Sequence, residues 1–295
     1  MSEKFKTILA ILIILIVLPY IITYAIQGNT LFQIGEADKT TDSSDEEADG
    51  EPTELLIGIL AGQISMDAPV EAIKAQAVLV RTEYWRRMEL GLDPEASLSL
   101  EELGELWGGS RLQANYEIAG TAVKETAGEV LTYEGGLIRS AYHKVSAGAT
   151  RTMEQLGGED TPYLVSALCG TDITSPDYLA VRFFEFEEFG KALGLSKEFE
   201  PGETQISSET DGAGYVESVT IGEDVIGGDE LREALDLPSP CFYIKEVEGK
   251  IRIVTKGKGH GIGLSQYAAC EQAKGGADYE EILAVFFAGT KLEKK

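Results

Sequence analysis

The chain has 295 residues, 43% of them hydrophobic, which is enough for one large or two smaller globular domains. Its formal net charge is −25. This excess of negative charge argues against nucleic acid or an anionic membrane surface as a partner, because a polyanion is repelled unless a local basic patch reverses the field. No such patch is evident in the sequence.

The first patterned segment is 7–26, which carries no charge and is long enough to span about 30 Å of hydrocarbon as a helix. Lys4 and Lys6 precede it, so the positive-inside rule puts the N-terminus in the cytoplasm. A cleaved signal peptide is the alternative, although its apolar core is usually shorter. We expect residues 1–27 to be a cytoplasmic stub with a transmembrane anchor in the cell membrane, and the rest to lie on the extracytoplasmic side.

An acidic segment follows the apolar one. Residues 36–54 hold nine acidic side chains and one lysine, with almost no apolar surface to offset the entropy of ordering. We predict that 28–54 is a solvated linker, with a charged docking tail as the alternative. The remaining residues, 55–295, form the predicted ectodomain.

The ectodomain is expected to begin with a strand and a long helix. Residues 55–64, LLIGILAGQI, have the branched apolar content of a buried strand. In 68–88, apolar residues recur at steps of three and four from Val70 to Met88, and a second face is also small or apolar. The pattern predicts a helix that packs on two sides inside the domain.

Glu71 lies in the first turn of this predicted helix. With Ala68 as N-cap and Pro69 as the first helical residue, Glu71 has the position of a capping-box glutamate, and Lys74 is a weak ion-pair partner. The other interpretation is a general acid, because a carboxyl at the mouth of a cleft can protonate a leaving oxygen. A helix N-terminus lowers the pKa of a carboxyl, so the acid role requires desolvation to outweigh it.

Turn signals and alternating residues organise the rest of the chain. We predict a helix over 116–129, and a hairpin turning at 134–136 whose second strand, 138–142, leads into the loop 143–148. The region 176–214 is mixed, with a short helix in 183–196 and a loop in 201–215. A strand, turn and helix are predicted over 216–237, and a hairpin over 242–259 around Glu248-Gly249-Lys250. Without a regular βαβ period, the fold class is α+β, as one body or two lobes.

The segment GKGHGIGLSQ, 257–266, holds four glycines in seven residues. Such glycines allow positive φ and close approach of a ligand to the backbone. The lysine and hydroxyl ending of a P-loop is absent, which argues against nucleotide binding. Ser265 is predicted as the N-cap of a following helix.

Two of these motifs carry a resemblance to a known family. The residues PVEAIKAQA (69–77) and GKGHGIGLSQYAAC (257–270) resemble the stage II sporulation protein D family, which shares its domain with proteins described as amidase enhancers. Further similar blocks follow in the family's order, at 107–138, 140–166, 215–239 and 278–290. The resemblance covers about 57–292.

The resemblance implies a peptidoglycan lytic transglycosylase, with Glu71 matching the catalytic acid. The implied substrate-binding residues are Gln76, Arg81, Tyr142, His143, Ser146, His260, Ser265 and Gln266. For Gln76 and Arg81, the alternative is that they brace the helix. Glu71 would protonate the oxygen between MurNAc and GlcNAc and then, as carboxylate, take the proton of the sugar's own 6-hydroxyl, leaving a 1,6-anhydro end. The nucleophile belongs to the substrate, so neither a second carboxylate nor a cofactor is expected.

The implied setting is engulfment during sporulation, on peptide-stripped glycan and beside an amidase such as stage II sporulation protein P. Two other function classes stay open from the sequence. One is a glycan-binding activator of an amidase that has no turnover of its own. The other is a structural tether in the envelope.

The histidines and cysteines are few. His143 is one of two histidines, and it is either a cleft residue or a strand-end side chain that hydrogen-bonds a loop. Some clostridial family members bind zinc in this block, but residues 144–150 supply no thiolate or imidazole here, so we predict no zinc. Cys169, Cys241 and Cys270 allow at most one intrachain disulfide, with Cys169–Cys241 or three free thiols as the alternatives.

Overall fold

The computed structural model describes residues 51–153, 161–196, 202 and 204–295. The expected transmembrane anchor and the acidic linker up to residue 50 lie outside these ranges. Of the helices that are described, none combines the length and the apolar character needed to cross a membrane.

The described chain begins with a run of four helices, and small, mostly antiparallel sheets with further short helices follow without a regular βαβ order, as in an α+β fold. The helices are α1 Thr53–Gln63, α2 Val70–Glu89, α3 Leu100–Trp107, α4 Gly109–Glu125, α5 Phe186–Ala192, α6 Gly228–Ala234, α7 Gln266–Lys274 and α8 Tyr279–Phe286, with a 3₁₀ turn at Gly170–Thr174. The strands are β1 Glu129–Tyr133, β2 Gly136–Leu137, β3 Tyr142–His143, β4 Leu179–Phe184, β5 Ile206–Thr210, β6 Val216–Ile221, β7 Asp224–Gly227, β8 Phe242–Val247, β9 Lys250–Lys256, β10 Leu264–Ser265 and β11 Lys291–Lys294.

The predicted strand over 55–64 is wrong, because these residues belong to helix α1. Buried positions follow one another without a gap from Leu56 to Ala61, so the segment is apolar on every side. A short apolar run of this kind fits a buried helix as well as a buried strand, and its periodicity does not separate the two. Gly58 shows how closely this helix packs, since a Cβ there would lie 2.2 Å from the Ser97 hydroxyl oxygen.

The long buried helix is confirmed as α2. Ala72, Ile73, Ala75 and Ala77 are at most 2% exposed, and the helix contacts α1, α4, α7, α8 and β1. Its small side chains let these neighbours approach on more than one side, which is why α2 occupies the centre of the larger hydrophobic cluster.

Four small sheets complete the architecture in the described ranges. Their strand orders are β11-β1-β2, β10-β3, β4-β9-β8 and β5-β6-β7. The predicted hairpins at 134–136 and 248–250 are confirmed as β1–β2 and β8–β9. The pair β3 and β10 is parallel, and it joins Tyr142-His143 to Leu264-Ser265.

Three other predictions need correction. The helix predicted over 116–129 begins earlier, at Gly109, and ends at Glu125. Of the strand predicted over 138–142, only Tyr142 lies in a strand, β3, while β2 ends before it at Leu137. The mixed region contains two strands, β4 and β5, that the prediction missed, because β4 is apolar on its exposed face and therefore lacks the usual alternation.

The described residues form two main hydrophobic clusters. The larger surrounds α2, and the second lies between the sheet β4-β9-β8 and the hairpin β6–β7, around Phe189 and Leu231. The chain crosses between the clusters at Gly257–Gly263, immediately after β9. This crossing places the glycine-rich segment at the junction of the two cores.

Candidate active site

Glu71 lies in the first turn of α2 with its side chain 25% exposed. Its Oε1 accepts a hydrogen bond from Lys74 Nζ at 3.0 Å, which confirms the predicted ion pair. Its Oε2 accepts one from the backbone N–H of Tyr279 at 3.1 Å, at the start of α8. The capping-box interpretation is wrong, because Pro69 is the N-cap of α2 and no side chain bonds there. Glu71 instead links the N-terminal turns of two helices.

Lys74 is shared between two carboxylates. Its ammonium lies 2.6 Å from Glu125 Oε2 as well as 3.0 Å from Glu71. The hydrogen bonds from Glu125 and Glu71 raise the pKa of Lys74. The Tyr279 hydroxyl donates to Glu129 Oε2 at 3.0 Å, and burial raises the pKa of Tyr279. Glu71 therefore belongs to a connected polar network between α2, α4 and α8.

A cavity of about 560 Å³ opens beside the start of α2. Its walls are the loop between α1 and α2, the junction of α3 with α4, the loop after β3 and the start of α7. The lining side chains that carry polar or aromatic groups include Gln63, Asp67, Trp107, Arg111, Asn115, Lys144, Ser175, Asp177, Gln266 and Tyr267. Ala68 lines the cavity but Glu71 does not. The carboxylate thus lies outside the cavity lining, three residues along the chain from Ala68.

Three glutamine side chains are hydrogen-bonded to one another beside this cavity, and two of them, Gln63 and Gln266, line it. Gln266 Nε2 donates to the Gln63 carbonyl at 2.9 Å and to Gln76 Oε1 at 3.2 Å. Gln76 Nε2 donates to Gln63 Oε1 at 2.7 Å. Gln266 reaches the cavity, as expected of a substrate-binding residue. Gln76 is fully buried behind it, so the expectation that Gln76 touches substrate is corrected to a supporting position.

Arg81 is also fully buried, which favours the bracing role over contact with substrate. Its guanidinium is paired with Glu51 and donates to Thr126 Oγ1 at 3.0 Å and to the Val123 carbonyl at 2.8 Å. These partners satisfy a charge that would otherwise be costly to bury. Arg81 braces α2 against the end of α4.

Ser146 and Ser265 meet at an aspartate that the sequence analysis missed. Asp172 Oδ2 accepts from the Ser146 backbone N–H and from the Ser265 hydroxyl, each at 2.7 Å. All three residues are fully buried, so the two serines are placed away from substrate. Burial raises the pKa of Asp172. The predicted N-cap is confirmed, since Ser265 Oγ also accepts from Ala268 N–H. Asp172 lies far from both serines in the chain and carries no motif.

The two histidines lie close together. Their ring centroids are 5.9 Å apart. His143 is 3% exposed and its Nδ1 donates to the Ile262 carbonyl at 3.0 Å, while His260 Nδ1 accepts from the Ile262 N–H at 3.1 Å. Burial lowers the pKa of His143 to about 3 and also lowers the pKa of His260. Both rings are therefore neutral at pH 7, and the His143 Nε2 has no partner among the described residues.

Tyr142 is half-buried beside His143 at the start of β3. Burial, with the Glu95 carboxylate nearby, raises the pKa of Tyr142 to about 12. The phenol consequently stays protonated at neutral pH.

The glycine-rich segment packs on the protein itself. Each of its four glycines has positive φ. A Cβ at Gly259 would lie 2.7 Å from the His143 Cβ, one at Gly261 would lie 2.4 Å from the Tyr215 ring, and one at Gly263 would lie 2.1 Å from the Ala141 carbonyl oxygen. The close approach predicted for a ligand is thus made by neighbouring chain, which corrects that interpretation.

The structure also describes the cysteines and the possible metal ligands. Cys169, Cys241 and Cys270 are all free thiols, so the Cys169–Cys241 pair is not formed. Across the described ranges, no three His, Cys, Asp or Glu side chains gather as a metal site. The zinc prediction remains a prediction.

Comparison with known proteins agrees with the resemblance. The family model of Stage II sporulation protein matches residues 49–133. Stage II sporulation protein D of Bacillus amyloliquefaciens is 33% identical over 82% of this chain and 74% of its own length, and that of Bacillus subtilis is 32% identical with the same coverage. An amidase enhancer of Bacillus subtilis is 24% identical over 80% of this chain and 40% of its own length. The chain therefore belongs to the stage II sporulation protein D family.

Proposed function

We propose that this protein is a lytic transglycosylase that cleaves the bond between MurNAc and GlcNAc in peptidoglycan glycan strands and leaves 1,6-anhydro-MurNAc ends. The observation that carries the proposal is the position of Glu71, a partly exposed carboxylate in the first turn of a buried helix, three residues after Ala68 in the wall of a cavity of about 560 Å³. That volume is typical of sites for small ligands.

The Glu71 network favours the second proton transfer, and the first requires Lys74 to move from Glu71 to Glu125. The first step needs a protonated Glu71, and Lys74 keeps Glu125 as a partner at 2.6 Å when it releases Glu71. In the second step Glu71 is a carboxylate, which the Tyr279 N–H and Lys74 stabilise. The same side chain then takes the proton of the 6-hydroxyl while that oxygen attacks the anomeric carbon.

The cavity offers groups suited to a glycan. Gln266 and Asn115 can hydrogen-bond acetamido and hydroxyl groups, and Trp107 and Tyr267 combine ring faces with a polar end. Lys144 is exposed and has no carboxylate partner in the described chain. It would favour the free lactyl carboxylate of peptide-stripped MurNAc.

The setting is part of the same proposal. The uncharged run 7–26 supports a single-pass anchor with the catalytic domain on the extracytoplasmic side. Membership of a stage II sporulation family supports a role in engulfment. The proposed partner is a cell-wall amidase similar to stage II sporulation protein P, which would supply glycan freed of its peptides.

The proposal is tested by mass spectrometry of the products made from peptide-stripped glycan strands. We expect anhydro-ended fragments from the wild-type chain and a loss of at least about 100-fold in rate for Glu71→Gln, as for removal of a general acid. Glu125→Gln separates the loss of the acid from a disturbance of Lys74, because it removes the other carboxylate partner of Lys74 and leaves Glu71 in place. Unchanged activity of Glu71→Gln would sink the proposal, and reducing ends would indicate a hydrolase.

The second candidate is a glycan-binding activator of an amidase. It is supported by the similarity to a protein named amidase enhancer and by the position of Glu71 outside the cavity lining, with both oxygens already hydrogen-bonded. This function predicts that wild type and Glu71→Gln bind glycan equally, cleave none, and raise amidase turnover to the same extent.

A further inference from the structure

The outer face of the sheet β4-β9-β8 exposes apolar side chains. Leu179, Val181 and Phe183 alternate along β4 and are 58%, 48% and 56% exposed. Val181 pairs with Val254 on β9, which pairs with Tyr243 on β8, so the half-exposed Tyr243 extends the same face. A contiguous apolar face of this kind usually marks an interaction site.

Strand β4, which carries three of these side chains, is also an edge strand of its sheet. One side of β4 pairs with β9, and no strand of the described chain pairs with the other side. Natural edge strands are commonly protected by proline, by a bulge or by charged side chains. The only charge on β4, LAVRFF, is Arg182. It belongs to the inner face and its guanidinium donates to the carbonyls of Leu235 and Asp236, at 2.8 and 2.6 Å.

The sequence of β4 is complementary to itself in one antiparallel register. With a two-fold axis at Val181, the two valines are opposite each other, and Leu179 is opposite Phe183 of the second copy. Directly opposed residues share a face of the sheet, so each exposed apolar side chain gains a cross-strand partner. Arg182 is then opposite Ala180. An axis at Arg182 would instead oppose two arginines, which is unfavourable.

The charges near this edge do not oppose the pairing. Lys245 on β8, with Arg252 and Lys256 on β9, shares the outer face, and neither strand is adjacent to the second copy. In the Val181 register, Arg252 and Lys256 of the second copy are three strand spacings apart, about 14 Å. That separation exceeds the screening length of about 8 Å at physiological ionic strength.

From these observations we infer that two copies of this chain associate through their β4 edges and form a continuous six-stranded sheet. The inference does not depend on the proposed reaction. A six-residue edge is a small interface, so the association is an equilibrium that shifts with protein concentration.

Cysteine cross-linking of the full chain, with oxidant added to cells before lysis, tests this register. Directly opposed strand residues have Cα atoms about 4.5–5.5 Å apart, within the range that a disulfide spans. Val181→Cys should therefore give a disulfide-linked dimer. Val225→Cys is the matched control, because Val225 is 69% exposed on β7, in another sheet. We expect at least a tenfold higher dimer yield from Val181→Cys.

A second variant separates edge pairing from random collision. Adding Phe183→Lys to Val181→Cys places a charge on the exposed edge and should lower the dimer yield at least tenfold, whereas adding Val225→Lys should not change it. Equal yields from the two cysteine variants, or no effect of Phe183→Lys, would overturn the inference. A disulfide that joins the Val181→Cys variant to a different protein, in place of the dimer, would also overturn it and would assign the edge to another partner.

Discussion

At the residue scale, His143 makes the stability of the fold depend on pH. The ring is 3% exposed, and burial lowers the pKa of His143 from 6.5 to about 3. Between these values the unfolded chain binds a proton that the folded chain does not. The contribution of His143 to stability is therefore complete above pH 6.5 and is lost as the pH falls towards 3.

Replacing His143 with asparagine tests this titration, since the Asn amide can still donate to the Ile262 carbonyl. We expect the wild type to lose up to about 1.4 kcal/mol of unfolding free energy per pH unit more than the variant between pH 6.5 and 3. Urea unfolding at several pH values measures the difference. Parallel curves for the two proteins would show that His143 does not titrate in this window.

At the scale of elements, the glycine-rich segment fixes how the two hydrophobic clusters meet. Gly263 has φ +70°, and a Cβ there would lie 2.1 Å from the Ala141 carbonyl oxygen. Gly263→Ala should lower the free energy of unfolding by at least about 3 kcal/mol, because strain and overlap add. Gly276, with φ +97° and nothing within 4 Å, is the control, and Gly276→Ala should cost about 1 kcal/mol. If chemical denaturation showed the same loss of unfolding free energy for both variants, the packing explanation would be refuted.

The same elements show what sequence patterns determine. The steps of three and four in 70–88 predict α2 correctly, since a long amphipathic pattern repeats over several turns. The run 55–64 is assigned to the wrong class because its residues from Leu56 to Ala61 are buried on every side of the helix. Strand β4 escapes prediction because its outward residues Leu179, Val181 and Phe183 are apolar too, so burial and hydropathy do not coincide there.

The candidate site is predictable only where a local motif carries it. The sequence motif identifies Glu71, and the helical spacing of three residues identifies its partner Lys74. Asp172 is not, because its contacts with Ser146 and Ser265 arise from tertiary packing across distant segments. The motif suggests substrate contact for Arg81 and Gln76, but both side chains are buried. A motif does not reveal which side of a buried helix faces the cavity.

At the scale of the whole molecule, an ion pair of Arg81 attaches the first residues of the described chain to helix α2. It pairs with Glu51, whose side chain is 8% exposed. Arg81→Met should lower the free energy of unfolding by about 3–5 kcal/mol, because it leaves a buried carboxylate without its partner. Lys274→Met, which removes the exposed pair with Glu271, should have almost no effect. Thermal and urea unfolding compare the two, and equal stability would contradict the role given to Arg81.

Glu51 also brings the two ends of the described chain together. Its Oε2 accepts from the Gly128 N–H at 3.2 Å, and the Lys295 N–H donates to the Gly128 carbonyl at 2.9 Å. Glu51 and Lys295, the first and last residues of the described chain, thus both hydrogen-bond to the backbone of Gly128 and lie close together. A fluorescent protein fused after Lys295 would consequently lie close to Glu51, and its signal would report on the surroundings of that residue.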